Sequence, residues 1–436
     1  VGTRKRVVAG YLAASVGTLA LVVDRLGREI FPTVDTGQFL VRLRAPSGTR
    51  IERTEDIARQ ALDVIAEVAG PDAIEVTMGF VGVTPPTFPN QSVFLWTSGP
   101  EEAVLRVALK HDSGVRVEEL KSRLRRELPE RLGSRLEARW LAEGLDPGEA
   151  SRRRRAFRLS FGPADIVNEV MSFGSPTPVE VVIHGPKLSD DLAYAQKVRA
   201  ELEKVPALRD LQFGQAQAFP TVEVTVDRER AGLSRVTVQE VSRALLSATS
   251  SSRYVVLNYW ADLASGNGYQ VQVQVPPPRL DSAQEIGAIP VKPTPGGQVL
   301  LRDVARVREG VRPGEYDRVD MRRYISLTAN IEGSDLGRVA TAIDEALARA
   351  GPPPRGVRVD VRGQIEPMRQ MFGGLTAGIF MSVVAIFLLL LAYFQSPRLA
   401  LVSVAAVPAV LAGVAVALFV TGTTLNIQSF MGAVMA

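Results

Sequence analysis

The sequence predicts an α+β multidomain membrane protein, in which transmembrane α-helices flank a large region of mixed helices and strands. Two apolar runs, 371–394 and 399–420, are each long enough to cross a bilayer, since spanning takes about 20 mostly apolar residues. From Gln370 to the C-terminal end of the sequence, the one charged residue is Arg398, between the two runs. The region before them repeats one order of strands and helices. Two buried helices of a soluble protein are the alternative, which this length and charge pattern disfavour.

A third apolar segment, 7–23, lies between a basic cluster and Asp24. Its length and basic flank also fit a secretory signal peptide. No small-x-small cleavage site follows it, so we interpret it as a transmembrane helix. Basic residues favour the cytoplasmic side of a membrane. We therefore expect Arg4–Arg6 and the 395–398 loop inside, and residues 24–369 outside.

The final apolar stretch, 425–436, is too short to span a bilayer, and it predicts the start of a truncated transmembrane helix. The first residue is Val1 rather than Met. We therefore expect the sequence to be a piece of a longer, multi-pass protein.

Composition excludes several classes of function. A net charge of +4 over 436 residues does not suggest a nucleic-acid partner. Because the sequence has no cysteine, disulfides, thiolate catalysis and Cys-ligated metal sites are excluded. The G-x-x-x-x-G-K-[ST] pattern of a nucleotide-binding loop is missing, and His111 and His184 do not form a Ser-His-Asp pattern. We therefore predict neither catalytic residues nor a bound cofactor.

The periodicity of residues 38–173 predicts a first β-α-β-β-α-β unit. Apolar residues recur at helical spacing in 51–68, and they alternate as in a strand in 38–44. This order is that of the split βαβ, or ferredoxin-like, unit. The predicted strands and helices, in chain order, are Gln38–Arg44, Ile51–Val68, Ala73–Val83, Ala103–Leu109, Val117–Leu128 and Leu136–Leu141.

A second unit of the same kind is interrupted by an insert. We assign residues 176–230 and 324–363 to the unit and 231–323 to the insert, because the missing helix and strand follow the insert. Asp227 and Tyr324 are then expected close together on one sheet or at its edge. The predicted elements of the unit are Val179–His184, Leu188–Val205, Leu208–Phe213, Thr221–Asp227, Tyr324–Ile331, Leu336–Ala350 and Val357–Val361.

This order of segments resembles the resistance-nodulation-division (RND) efflux transporters of Gram-negative inner membranes. The likeness is carried by 26–37 (LGREIFPTVDTG), 45–54 (APSGTRIERT), 394–398 (FQSPR) and 425–432 (LNIQSFMG). The resemblance is to the second half of such a permease. It implies that 7–23 is the seventh transmembrane helix and that the two predicted units are periplasmic porter subdomains, the second carrying a docking insert. The last three apolar runs would be helices eight, nine and the start of ten.

The resemblance also implies an activity and partners. Transporters of this family are secondary active transporters that exchange protons for exported hydrophobic or amphiphilic compounds, and they are not enzymes. They work as homotrimers in the bacterial inner (plasma) membrane, with a periplasmic adaptor protein and an outer-membrane channel. The proton-relay residues of the family belong to helices outside this sequence, so none is assigned here.

The candidate substrate-binding residues are aromatic. The resemblance places pocket aromatics at Phe80, ahead of a proline-rich loop, 83–91, that contains Phe88. Phe94, also a candidate, and Trp96 follow on a predicted strand. Alternation sends one face of a strand inward, so core packing is the stronger interpretation for Phe94 and Trp96. For Phe80 and Phe88, pocket and core both stay open, because loops often carry binding residues.

The methionines bear on the substrate class. Metal-exporting members of the family use methionine thioethers on their cleft walls, which suit Cu(I). Here Met78, Met171, Met321 and Met368 are widely scattered. We therefore expect small amphiphilic substrates rather than copper or silver. Two alternatives stay open: a metal-cation efflux branch, and a membrane-anchored scaffold or assembly protein of the same fold that does not transport.

Overall fold

The computed structural model divides the chain into two compact units, one formed by Val1–Ala216 with Gly314–Ala436 and the other by Gln217–Pro313. We call them the main unit and the inserted unit. The residues that the structure describes are 2–32, 35–70, 72–83, 97–164, 166–172, 174–276, 279–280, 282–295 and 297–435.

Helices and strands are numbered in chain order within the described residues. The α-helices α1 to α15 are Gly2–Val23, Ile51–Ala69, Val117–Ala142, Pro147–Ala156, Ile166–Met171, Leu188–Leu202, Arg228–Leu233, Val238–Thr249, Ala283–Gly287, Leu301–Val304, Leu336–Ala350, Ile365–Phe394, Pro397–Val404, Val407–Thr421 and Ile427–Met435. The β-strands β1 to β15 are Gln38–Arg44, Ile74–Val81, Glu102–Leu109, Arg158–Pro163, Val179–His184, Leu208–Phe213, Phe219–Val226, Asn258–Ala261, Gly268–Val271, Pro290–Thr294, Gly297–Leu300, Ala305–Arg312, Arg318–Val319, Arg322–Ile331 and Arg358–Gly363.

The first part of the main unit contains an antiparallel sheet with the strand order β2-β3-β1-β4, which we call the first sheet. Helices α2 and α3 contribute to one core with it. Phe39, Val41 and Leu43 of β1 are buried in that core together with Leu124 and Leu128 of α3. Alternate residues of a strand point to opposite faces. The intervening residues of β1 therefore belong to the other face of the sheet.

The predicted strand Leu136–Leu141 is wrong, because these residues continue helix α3. The buried residues of α3 include a leucine at every fourth position from Leu120 to Leu136, and each of these is at most 2% exposed. That spacing keeps one face of a helix apolar. It continues into Leu136–Leu141, the segment in which apolar residues also alternate as in a strand. The fourth strand of the sheet is instead β4, which follows the short helix α4.

A second antiparallel sheet has the order β6-β14-β5-β15, with the short strand β13 paired to β14. We call it the second sheet. Its strands come from both sides of the inserted unit, and β14 pairs with β5 and β6. Val181 and Ile183 of β5 are fully buried in one core with Val198 of α6 and Ile343 of α11. Ile30, from the segment after α1, lies in the same core.

The inserted unit, 217–313, begins and ends at lower residue numbers than the predicted insert, 231–323. Strand β7 pairs over its full length with β12, so the predicted strand Thr221–Asp227 belongs to the inserted unit and not to the second sheet. The reason is burial, since Val224 and Val226 pack against the core formed by Leu301, Val304 and their neighbours. Two further antiparallel pairs, β8–β9 and β10–β11, complete its described strands.

Among the described residues, three helical stretches are long and apolar enough to cross a membrane: Arg6–Val23, Ile365–Phe394 and Pro397–Thr421. The third consists of two helices, α13 and α14, so the predicted run 399–420 is interrupted. Pro408, near the start of α14, has no N–H to donate and its ring opposes a continuous helix, which accounts for the break. Helix α1 packs along α14.

Candidate functional site

The segment Leu26–Ile30, which we call the linking segment, pairs with the residues that precede α15. The N–H of Leu425 donates to the carbonyl oxygen of Gly27 at 2.7 Å, and the N–H of Glu29 donates to the carbonyl oxygen of Leu425 at 3.0 Å. Arg28 and Leu425 thereby form a parallel bridge. Leu26 and Ile30 are buried. The backbone after α1 is therefore fixed to the connection between α14 and α15.

The linking segment also contacts the N-terminus of α11. The Asp335 carboxylate caps this helix by accepting from the N–H of Arg338 at 3.1 Å, and it accepts from the N–H of Arg28 at 2.8 Å. A Cβ on Gly27 would lie 3.0 Å from side-chain carbons of both Asp335 and Thr424. Such contacts are tighter than normal packing, so glycine permits three chain segments to meet here.

A cavity of about 740 Å³ lies beside the linking segment, with walls from α3 and β4 and from β14 and α11. We call it the junction cavity. Its volume is in the range of sites for drug-sized ligands. Apolar side chains form much of its wall: Ile30, Phe31, Phe161, Met171, Ile331 and Leu336. A wall of this kind can bury hydrocarbon.

Three carboxylates line the junction cavity, and among the described residues two of them have a lysine or arginine partner while the third does not. Glu118 lies 2.6 Å from Lys121, and both line the cavity. Although burial opposes it, hydrogen bonds and charge from Ser122, Arg125 and Arg209 hold the pKa of Glu332 below its ordinary value.

The third carboxylate is Glu29, which has no lysine or arginine partner in the described ranges. Its Oε2 accepts from the Thr424 hydroxyl at 3.1 Å. Burial raises the pKa of Glu29 despite this hydrogen bond, and the nearby charge of Asp335 adds to the effect.

A buried ion-pair network joins the two sheets beside the cavity. Arg125 of α3 lies 3.3 Å from Asp210 of β6, and these side chains are 10% and 9% exposed. Asp210 also accepts from the N–H of Phe161 at 2.9 Å and from the Asn330 amide at 3.0 Å. A buried charge is tolerated when such bonds satisfy it. The network therefore fixes β4 against β6 and β14.

A second, apolar groove of about 1100 Å³ lies among α1, α12, α14 and α15. Arg28 lines this groove, whereas the adjacent Glu29 lines the junction cavity. The Arg28 guanidinium lies 6.0 Å from the centre of the Phe372 ring, which also lines the groove. The linking segment thus borders both a groove among apolar helices and a cavity between the two sheets.

Of the predicted binding residues, Phe88 and Phe94 lie outside the described residues. Phe80 lies on β2, where it pairs in register with Val104 of β3, and Val104 in turn pairs with Arg42 of β1. Directly opposed residues share a face of a sheet. Phe80 is half-buried on the face of Arg42, away from the core formed with α2 and α3, and it is not part of the wall of the junction cavity. Its role in a pocket stays a prediction.

The same face of the first sheet carries a charge cluster that sequence reasoning missed. Arg42 is half-buried, and loss of solvation lowers its pKa to about 10. Arg44 pairs with Glu102 and donates to the carbonyl oxygen of Phe213 at 2.9 Å. Burial, with the charges of Asp317 and Glu102, raises the pKa of Glu315 to about 7. The alternating arginines of β1 were a visible signal of a polar second face.

No group of three or more His, Cys, Asp or Glu side chains in the described part of the chain is arranged to hold a metal ion.

Comparison with known sequences identifies relatives over most of the chain. A family model described as the AcrB/AcrD/AcrF family matches residues 148–436. The nickel and cobalt resistance protein CnrA of Cupriavidus metallidurans is 26% identical over 61% of this chain and 24% of its own length. The cation efflux system protein CzcA of an Alcaligenes species is 22% identical over 98% of this chain and 38% of its own length. The swarming motility protein SwrC of Bacillus subtilis is 19% identical over 61% of this chain and 24% of its own length.

Comparison with solved structures supports the same fold. A crystal structure of a heavy metal efflux pump matches with a TM-score of 0.79 and 20% sequence identity, covering 99% of this chain and 41% of that one. This chain therefore spans about two-fifths or less of the proteins it matches.

Proposed function

Because the chain belongs to the AcrB/AcrD/AcrF family, and so to the RND permeases, we propose that it forms the C-terminal half of a proton-driven efflux pump. The pump is proposed to export hydrophobic or amphiphilic compounds as a secondary active transporter. It would lie in the bacterial inner membrane with residues 24–369 in the periplasm. The three apolar helical stretches and the basic flank of the first support this placement.

The two sheets are proposed to be ferredoxin-like porter units. The strand orders β2-β3-β1-β4 and β6-β14-β5-β15 support this assignment, because each is the 2-3-1-4 order expected of a β-α-β-β-α-β unit. The inserted unit is proposed to be the docking part. It would contact neighbouring protomers of a homotrimer, or a periplasmic adaptor that leads to an outer-membrane channel.

The observation that carries the choice of substrate is the wall of the junction cavity. Ile30, Phe31 and Leu336 offer apolar surface, while Gln364 and Gln428 offer uncharged hydrogen-bonding groups. Ligand sites for organic compounds combine an apolar wall with a few polar groups in this way. The adjoining groove among the membrane helices supports entry from the bilayer, where an amphiphile is concentrated.

Export of metal cations is the second candidate, favoured by the names of CnrA and CzcA. Their sequence identities of 26% and 22% leave room for a different substrate. The scaffold alternative has no observation of its own in its favour.

Transport by the full-length protein in liposomes tests this proposal. With an imposed pH gradient, a fluorescent amphiphile should accumulate and protons should move in the opposite direction. Accumulation of Zn²⁺, Co²⁺ or Ni²⁺ without amphiphile transport would favour the metal-cation branch. If neither class moves while the protein assembles normally, transport is excluded and the scaffold alternative stands.

A further inference from the structure

The charges around the junction cavity leave one carboxylate available to a ligand. Glu118 has Lys121 at 2.6 Å, and Glu332 has Arg209 at 2.7 Å and Arg125 at 3.3 Å. Among the described residues, no lysine, arginine or histidine lies within ion-pair distance of Glu29. Within the part of the chain that the structure describes, the Glu29 side chain accepts one hydrogen bond, from the neutral hydroxyl of Thr424. The uncompensated negative charge of the cavity is therefore at Glu29.

This carboxylate cannot easily turn away from the cavity. Its own N–H donates to Leu425, and Arg28 before it donates to Asp335. Ile30 after it is buried in the core of the second sheet. With the backbone fixed on both sides, Glu29 remains at the wall, where it is partly removed from water. A carboxylate in such a place lacks solvation that a bound cation would restore.

The surroundings of Glu29 define the rest of the ligand. Ile30 and Phe31 follow it directly along the wall, and Leu336 and Met171 continue the apolar surface. A ligand that satisfies both parts has a positively charged head and a hydrocarbon body. Resting on the proposed amphiphile transport, we propose that Glu29 is a specificity-determining residue that binds the ammonium-type head of a cationic amphiphile in the junction cavity.

The test needs a readout at this cavity, because a full-length pump has other surfaces that bind amphiphiles. Ser334 lines the junction cavity. A Ser334→Cys variant, in a cysteine-free full-length protein in native membranes, can be labelled with a maleimide. The concentration of amphiphile that halves the labelling rate then reports local binding. The probes are dodecyltrimethylammonium and the uncharged dodecyl maltoside, which have equal tails.

We expect Glu29→Gln to raise the half-protecting concentration of dodecyltrimethylammonium by roughly tenfold, the effect of losing one charged contact, with little change for dodecyl maltoside. Glu29→Lys should reverse the preference towards dodecyl sulfate. Glu366→Gln is the charge-matched control, because Glu366 is exposed at the start of α12 and does not line the cavity. It should change neither probe.

Thr424→Val separates ligand binding from a structural role. It removes the hydroxyl bound to Glu29 but keeps the charge and the shape. The proposal predicts that this variant keeps the preference for the cation. If Glu29→Gln and Thr424→Val weaken both probes alike, Glu29 only holds the linking segment in place and the proposal fails. If dodecyl maltoside protects the wild-type protein and the cation protects it no better, the proposal for Glu29 fails but the proposed amphiphile transport does not. If neither probe protects it, amphiphile binding in this cavity fails as well.

Discussion

Replacing Arg125 by methionine should be among the most destabilising single changes in the main unit. Methionine keeps much of the length and packing of the side chain but removes its charge. Asp210, 9% exposed, would lose its one ion-pair partner among the described residues and keep the N–H of Phe161 and the Asn330 amide. Removing one partner of a buried ion pair costs about 3–5 kcal/mol, because the other charge stays buried.

The matched control is Arg135→Met on the same helix. Arg135 pairs with Glu67 at 2.8 Å, but these side chains are 42% and 45% exposed. A surface ion pair contributes about 0–1 kcal/mol, so this variant should unfold close to wild type. Both variants remove one positive charge from α3. They differ in the burial of the pairs they break, and Arg125→Met also removes the contact of Arg125 with Glu332 at 3.3 Å.

Thermal unfolding of the purified full-length variants, followed by loss of the monodisperse peak after heating, measures the difference. A cost of about 1 kcal/mol lowers the midpoint of a domain of this size by about 2–4 °C, so Arg125→Met should fall by about 10 °C. Adding Asp210→Asn should recover part of the loss, because it neutralises the orphaned charge while keeping an acceptor for Phe161. Equal midpoints for Arg125→Met and Arg135→Met would refute the argument.

Three further predictions concern titration, topology and the first sheet. The pKa of Glu315 is raised to about 7, so the folded state binds a proton that the unfolded state releases, and stability should fall as pH rises from about 4.5 to about 7. Glu315→Gln should flatten this dependence in melts at a series of pH values; an unchanged slope would exclude Glu315. A cysteine at Ser334 should react with an impermeant thiol reagent in intact cells and one at Ser396 should not, and the reverse pattern would refute the membrane orientation. Phe80→Ala should change which compounds a full-length pump exports at an unchanged protein level, whereas reduced protein with equal loss for every compound would place Phe80 in a core.

Most of the strands and helices of both sheets could be predicted from sequence, because local patterns identify them. Alternation in β1 and helical spacing in α2 and α11 are each visible within a few residues. The error at Leu136–Leu141 arose where two periods coincide, and burial of the leucine row in α3 decided for the helix. Pro408 is a local sequence signal for the break between α13 and α14, but the apolar composition of 399–420 favoured one continuous helix.

The pairing of β7 could not be predicted in the same way. Its partner β12 comes near the end of the inserted unit, and no pattern within Thr221–Asp227 identifies that partner. The site depends even more on distant contacts. Arg125 and Asp210 are 85 residues apart, and Glu29 and Thr424 are 395 apart. No periodic pattern connects such positions, so only the fold identifies Glu29 as the cavity carboxylate without a basic partner among the residues that the structure describes.

The position of Glu29 connects ligand binding with the packing of the membrane helices. The carboxylate that faces the junction cavity also accepts from Thr424, in the connection that precedes α15. A cation bound at Glu29 would share its oxygens with that hydroxyl and weaken the hydrogen bond. Binding effects between two contacts on one group are reciprocal, so a shift of Thr424 away from Glu29 would in turn strengthen the hold on the cation. Gly27 and Asp335 also contact this short segment, so such a shift would disturb their contacts at the N-terminus of α11.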